Sequence, residues 1–175
     1  MLAHQTFATA LLLIPLALII VYMDIRYRRI PNKLVLLTLV GGLTLNIIFG
    51  GWHGLLASLG GLALAFGSML LLHLFGTMGA GDVKLFGAIG AVLGSSIVPQ
   101  TLLVVAISGG FLAFGKMIQA RRVRTTMFGV FQFFYGFLPG HTVPRFEVPT
   151  DRSYTLPYAV PICFGSLISF FLFHA

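Results

Sequence analysis

Only four of the 175 residues are acidic: Asp24, Asp82, Glu147 and Asp151. Two of them stand where chemistry can be done. Asp24 follows directly on the apolar run 7–23, and Asp82 closes Gly79-Ala80-Gly81-Asp82 just ahead of another apolar run. A carboxylate at the end of a membrane helix is costly unless it is paired or used. Two such acids, each at a helix end, make a candidate carboxylate pair, and water activated between two carboxylates can cleave a peptide bond. Close carboxylates cannot both ionise easily and tend to share one proton. The ionised member then accepts a proton from the attacking water, while the protonated member donates to the scissile carbonyl.

The local settings of the two acids differ. Glycine permits positive φ and close backbone approach, so residues 79–81 predict a tight turn that delivers Asp82 to the first turn of a helix, where the dipole favours an anion. The plainer alternative is that Asp82 is a helix N-cap. Asp24 ends its helix, where the dipole disfavours a carboxylate, and its plainer alternative is a solvated acid paired with Arg26 or Arg28. These fields assign Asp82 the base and Asp24 the acid, within a pair that titrates as a unit. Lys84 either biases Asp82 and holds substrate backbone or, more simply, anchors the helix at the interface. Arg26, Arg28 and Arg29 with Pro31 and Asn32 form a basic turn; an anchoring role explains the charge but not Ile30-Pro31-Asn32. His73 reads as a packed or interfacial residue rather than a base. The other histidines are scattered and form no metal-ligand spacing. Serine-triad, zinc-protease and phosphate-loop patterns are absent, so serine, zinc and nucleotide-driven chemistry lack support.

The elements that must carry these residues are set by composition. The chain is 58% hydrophobic and 9% charged, against about 25% charged in soluble domains, and its mean hydropathy is +1.00. It is therefore expected to lie in lipid. The runs are long and lack period-2 alternation, which predicts helices rather than a barrel. A net charge of +7 does not indicate nucleic acid, because the basic residues flank apolar runs and no basic soluble domain is present to offer a patch. Cys163, the single cysteine, can form no internal disulfide and reads as a small packing residue. The run 7–23 lacks a basic leader and a clear cleavage site, so it reads as a retained helix.

Six runs are long enough to span a bilayer: 6–23, 34–50, 55–75, 82–98, 100–118 and 156–173. With the N-terminus outside, the segments 24–33, 76–84 and 116–155 lie inside and hold all eleven Lys and Arg. That asymmetry predicts an all-α polytopic bundle of six transmembrane helices with both termini outside. It forms a single membrane-embedded domain over 1–175, with both aspartates at the cytoplasmic face. The aromatic stretch 125–144 reads as a cytoplasmic interfacial or re-entrant segment rather than an extra span. Trp52 suits an interfacial belt. Small residues at four-residue spacing, Ala57, Gly61 and Ala65 in one run and Gly87, Ala91 and Ser95 in the next, predict close helix packing, either to fix Asp82 or as generic packing of membrane helices.

These motifs resemble those of the type IV prepilin peptidases, aspartic proteases of the GxGD class. Asp24-Ile-Arg-Tyr-Arg-Arg-Ile-Pro-Asn32 is similar to that family's first-aspartate block. Gly79-Ala-Gly-Asp-Val-Lys-Leu85 is similar to its second, and Leu156-Pro157-Tyr158-Ala-Val-Pro161 to its last-helix motif. The resemblance covers nearly the whole chain and is weakest over 119–150. It implies an endopeptidase of the bacterial inner membrane that removes the short basic leader of a prepilin or pseudopilin. The cut falls after a glycine or similar small residue, just before the precursor's apolar helix, at the cytoplasmic face. Asp24 and Asp82 would be the catalytic pair, and cleavage would need no cofactor or metal. Gly79, Gly81, Lys84, Arg26, Pro31, Asn32, Pro157 and Tyr158 would support or position them. Larger family members carry paired cysteine motifs and also methylate the new N-terminus; a lone cysteine makes that second activity unexpected. The short form looks like the tight-adherence (Flp) type, with the archaeal preflagellin peptidases as the alternative. Two other classes compete. A proton-coupled transporter would tend to hold its acids near the midplane, and a non-catalytic pilus assembly subunit would use them only as caps.

Overall fold

The computed structural model describes residues 2–74, 78–119 and 158–173. Among these residues every regular element is a helix: α1 (Leu2–Tyr27), α2 (Asn32–Leu74), α3 (Ala80–Leu93), α4 (Val98–Gln119) and α5 (Ala159–Phe173). By length and composition α1, α2 and α4 each contain a stretch able to cross a membrane, while α5 is a shorter apolar helix. Their outward faces carry Phe7, Leu11, Leu18, Ile48, Leu103 and Phe111, all largely exposed. So much uncovered apolar surface suits lipid, not water. The stretch 125–144, Glu147, Asp151 and Pro157 lie outside the described residues.

α2 contains the second apolar run and the third as far as Leu74. At Gly51 the backbone takes φ 56° and ψ −136°, a conformation that suits glycine, and the chain doubles back. The reversal follows from two hydrogen bonds: Asn46 Nδ2 and Ser58 Oγ both donate to the Ala91 carbonyl, at 2.9 and 2.6 Å. On a straight helix residues 46 and 58 lie about 18 Å apart. A loop over 50–54 was expected here. Instead a single non-helical residue makes the turn, and Gly54 packs directly on the Asn46 carbonyl.

The two arms of α2 enclose α3. Val83 and every residue from Leu85 to Leu93 are buried, as befits a helix apolar on all sides. The close approach is made by glycines. A side chain on Gly42 would strike the Val92 backbone, and one on Gly61 would strike the Gly90 carbonyl. The predicted small-residue stripe on α2 is used, but its main partner on α3 is Gly90, with Gly87 packing beside Phe66 and Leu62. The predicted run 82–98 is cut short. Gly94 turns the chain with φ 79° while its N–H donates to Gly90 O at 2.9 Å, and Ser95 N–H donates to Ala57 O at 2.9 Å. The result is a helix of 14 residues, about 21 Å long. Ile97 and Val98, also buried, belong to the turn and to the start of α4. On the other side of the bundle, Gly165 of α5 sits against the Val105 backbone of α4.

Candidate active site

The ends of four helices gather at one end of this bundle: the last turn of α1, the first turns of α3 and α5, and the C-terminus of α2. Asp24 stands in the last turn of α1 and is only 8% exposed. Its Oδ2 accepts the N–H of Ala159, the first residue of α5, at 3.3 Å. That N–H has no partner within its own helix, so Asp24 caps α5 from across the bundle. Arg28 supplies the cation whose charge reaches Asp24, whereas Arg26 is exposed. Arg28 has a left-handed φ of 52°, and its N–H donates to Asp24 O at 2.9 Å, closing α1.

Asp82 is half-buried and occupies the third position of α3, not its N-cap. The N-cap is Gly79, with an extended φ of −75° and ψ of 146°. The carboxylate folds back over this residue, with Oδ2 3.1 Å from where a Cβ on it would stand and within interaction range of its backbone N–H, as in the return half of a capping box. Neither Gly79 nor Gly81 has a positive φ, so of the two properties glycine offers a turn, positive φ is not the one used. Gly79 is there for clearance, since a Cβ on it would lie 3.1 Å from Asp82 Oδ2. Gly81 faces Ile30, with 3.7 Å to Ile30 Cδ1.

That contact joins the two aspartate blocks. After Arg28 the chain turns so that Ile30 packs on Gly81 and on the core. The Pro31 carbonyl then accepts the N–H groups of Leu34 and Val35, at 3.0 and 3.3 Å, which starts α2 at Asn32. The turn left unexplained by charge alone thus fixes the spacing of the two motifs.

Asp24 and Asp82 lie within electrostatic range of each other. Tyr158, just before α5, lies within range of Asp82, and the buried Cys163, one turn into α5, within range of both. Lys84, Arg26 and Asn32 are exposed and do not join this cluster. The Ala159 amide and Arg28 change the expected division of labour. The C-terminal field of α1 counts against charge on Asp24, but the N-terminus of α5 and a cation now face the same carboxylate, so helix dipoles no longer rank the two acids. The Ala159 amide carries no side-chain signal in sequence; only its place after Pro157-Tyr158 at the head of an apolar run hints at it.

Residues 11–114 match the model of the type IV leader peptidase family. The chain is 33% identical over 114 residues to a prepilin leader peptidase/N-methyltransferase of Escherichia coli (strain K12), covering 61% of this chain and 50% of that protein. It is also 33% identical over 119 residues to a protein of the same description from Aeromonas hydrophila, covering 62% of this chain and 40% of that one. The matches therefore span half or less of these curated relatives. No solved structure matches the chain.

Proposed function

The chain belongs to the type IV leader peptidase family, and on that premise we propose that it is an aspartic endopeptidase whose catalytic pair is Asp24 and Asp82. The observation that carries this reading is the convergence of the two acids, from α1 and α3, at one end of the bundle and within range of each other's charge. One proton is shared between them. The carboxylate without it takes a proton from water as the water oxygen bonds to the scissile carbonyl carbon, and the carboxyl with it donates to the carbonyl oxygen. Collapse of the tetrahedral intermediate breaks the C–N bond: the amine leaves with the proton the pair holds, and one hydroxyl of the intermediate returns its proton to the pair as the carbonyl re-forms. The Ala159 and Gly79 amides, each directed at one acid, hold the carboxyl groups in place.

The substrate is a prepilin or pseudopilin of the Flp-like kind, cut between a short basic leader ending in glycine or a similar small residue and the apolar helix that follows. The bacterial relatives named above favour the pilus system over an archaeal one. The charge asymmetry supports six spans with both termini outside, and hence cutting at the cytoplasmic face of the inner membrane. The precursor helix docks from lipid beside the aspartates, and glycine at the cut lets the chain leave helical geometry. Placement of both acids at one end rather than mid-bundle weighs against a transporter.

The test is cleavage of a co-expressed precursor in membranes by wild type, Asp24→Asn and Asp82→Asn at matched abundance. Asparagine keeps the shape and most of the capping ability of aspartate but cannot transfer the proton. Loss of cleavage by at least about 100-fold in each variant is expected. Retained cleavage in both would reduce the acids to caps.

A further inference from the structure

His73 ends α2, five residues before Met78, and its Nδ1 lies 2.7 Å from the Met78 carbonyl oxygen. A carbonyl can only accept, so the ring nitrogen is the donor and Nδ1 carries the hydrogen. The contact is short for an N–H···O bond. The peptide unit it grips is the one joining Met78 to Gly79, and that unit's other polar group is the Gly79 N–H. Gly79 is the N-cap of α3, and the Asp82 carboxylate lies back over it, 3.1 Å from where a Cβ would stand. Because a peptide is planar and trans, its C=O and N–H point in opposite directions. Fixing one fixes the other.

We propose that His73 is a positioning residue for Asp82: by holding the Met78 carbonyl it aims the Gly79 N–H, on the far side of the same peptide, at the catalytic carboxylate. The inference rests on the reading of Asp24 and Asp82 as the catalytic pair. It assigns His73 neither acid–base chemistry nor substrate contact. The chain of groups runs from imidazole N–H to carbonyl, across the peptide, and from amide N–H to carboxylate. Hydrogen bonds in such a series polarise one another, strengthening the last. The sequence offers no hint of this, since His73 stands nine residues from Asp82 with an apolar and glycine-rich stretch between. A histidine that merely closes the end of α2 on its dipole would make the same first contact, so the test must separate stability from positioning.

His73→Ala, His73→Asn and His73→Gln are compared with wild type, Asp24→Asn and Asp82→Asn. Kinetics are measured in detergent on a synthetic precursor with a basic leader, a glycine at the cut and a 20-residue apolar helix. Thermal unfolding is recorded for each variant. Asparagine places its amide nitrogen where Nδ1 stands, one bond from Cγ; glutamine places it near Nε2. The expected result is a fall in kcat of about five- to tenfold for His73→Ala and His73→Gln with KM within about twofold, and recovery of most of that loss in His73→Asn. Inactive aspartate variants alongside an unchanged kcat in His73→Ala would overturn the inference and leave the catalytic pair standing. So would asparagine no better than alanine, or a loss that follows the unfolding temperature alone. Active aspartate variants would overturn the catalytic reading, and the role of His73 with it.

Discussion

Gly79→Ala tests whether the first glycine of the turn is there for clearance. The new Cβ would stand 3.1 Å from Asp82 Oδ2, closer than ordinary carbon–oxygen contact, so the carboxylate must retreat by a few tenths of an ångström. A 1 Å misplacement of a reacting group costs about 100-fold, or roughly 2.7 kcal/mol in the barrier. Scaled to a third of that displacement, the loss is about 1 kcal/mol, or roughly fivefold in kcat. Gly81→Ala makes the contrast. Its Cβ would meet Ile30 Cδ1 at 3.7 Å, which is ordinary packing, and alanine in place of a helical glycine adds about 0.5–1 kcal/mol of stability. It is expected to keep more activity than Gly79→Ala and to unfold at a higher temperature than wild type. The assay is precursor cleavage at saturating substrate, with thermal unfolding in the same detergent. Gly81→Ala losing more activity than Gly79→Ala, at equal or better stability, would refute the clearance argument.

Three further substitutions read other parts of the frame. Gly90→Ala drives a methyl group into Ala65 Cβ and the Gly61 carbonyl and is expected to cost about 1–3 kcal/mol of stability by overpacking, read as a lower unfolding temperature. Asn46→Ala removes donors to Ala91 O and Val92 O and the acceptor for Gln5, at the end of the bundle away from the aspartates. A loss of about 1–2 kcal/mol with kcat little changed is expected from unfolding and cleavage measured together. Arg28→Gly relieves a left-handed residue but removes the cation near Asp24. It should be more stable than Arg28→Ala by about 1 kcal/mol, with both variants equally impaired in cleavage; an equally stable pair would contradict the strain.

Much of the frame is legible in the residues because lipid leaves the chain few choices. Unbroken apolar runs over 6–23, 34–50, 55–75 and 100–118 have to be helical, and over their described residues helical they are. What the runs do not show is where one glycine overrides them. Gly50, Gly51 and Gly54 look alike in sequence, and only Gly51 leaves the helix. The apolar run continues past Gly94 through Ile97 and Val98, so hydropathy cannot see that α3 stops there. Of the small residues on α3, the four-residue series 87, 91, 95 misses Gly90, because which glycine meets Gly61 depends on how two helices cross. At the site, side chains announced themselves and backbone did not. Asp24 and Asp82 stand out as isolated acids, but their partners are the amides of Ala159 and Gly79, and any residue except proline can supply an amide.

The two acids reach the site by different routes, and this bears on how rigidly each is held. Asp82 belongs to a helix clamped along its length. Gly42 and Gly61 bring both arms of α2 onto its backbone, and Asn46 and Ser58 tie off its far end. Such an element moves only if the α2 hairpin moves with it. Asp24 sits at the end of α1, and its carboxylate is tied to the head of α5 by a hydrogen bond of 3.3 Å, with the Arg28 charge nearby on the turn that follows α1. That helix is in turn seated on α4 through Gly165 and Val105. Displacement of α4 and α5 together would therefore reach Asp24 before it reached Asp82. On the proposed function, a precursor helix arriving from lipid between these elements would change the separation of the pair chiefly by moving Asp24. If Asp24 and Asp82 are the catalytic pair, α3 would set where the reaction happens, and the α1–α5 contact would set when the second carboxyl is in place.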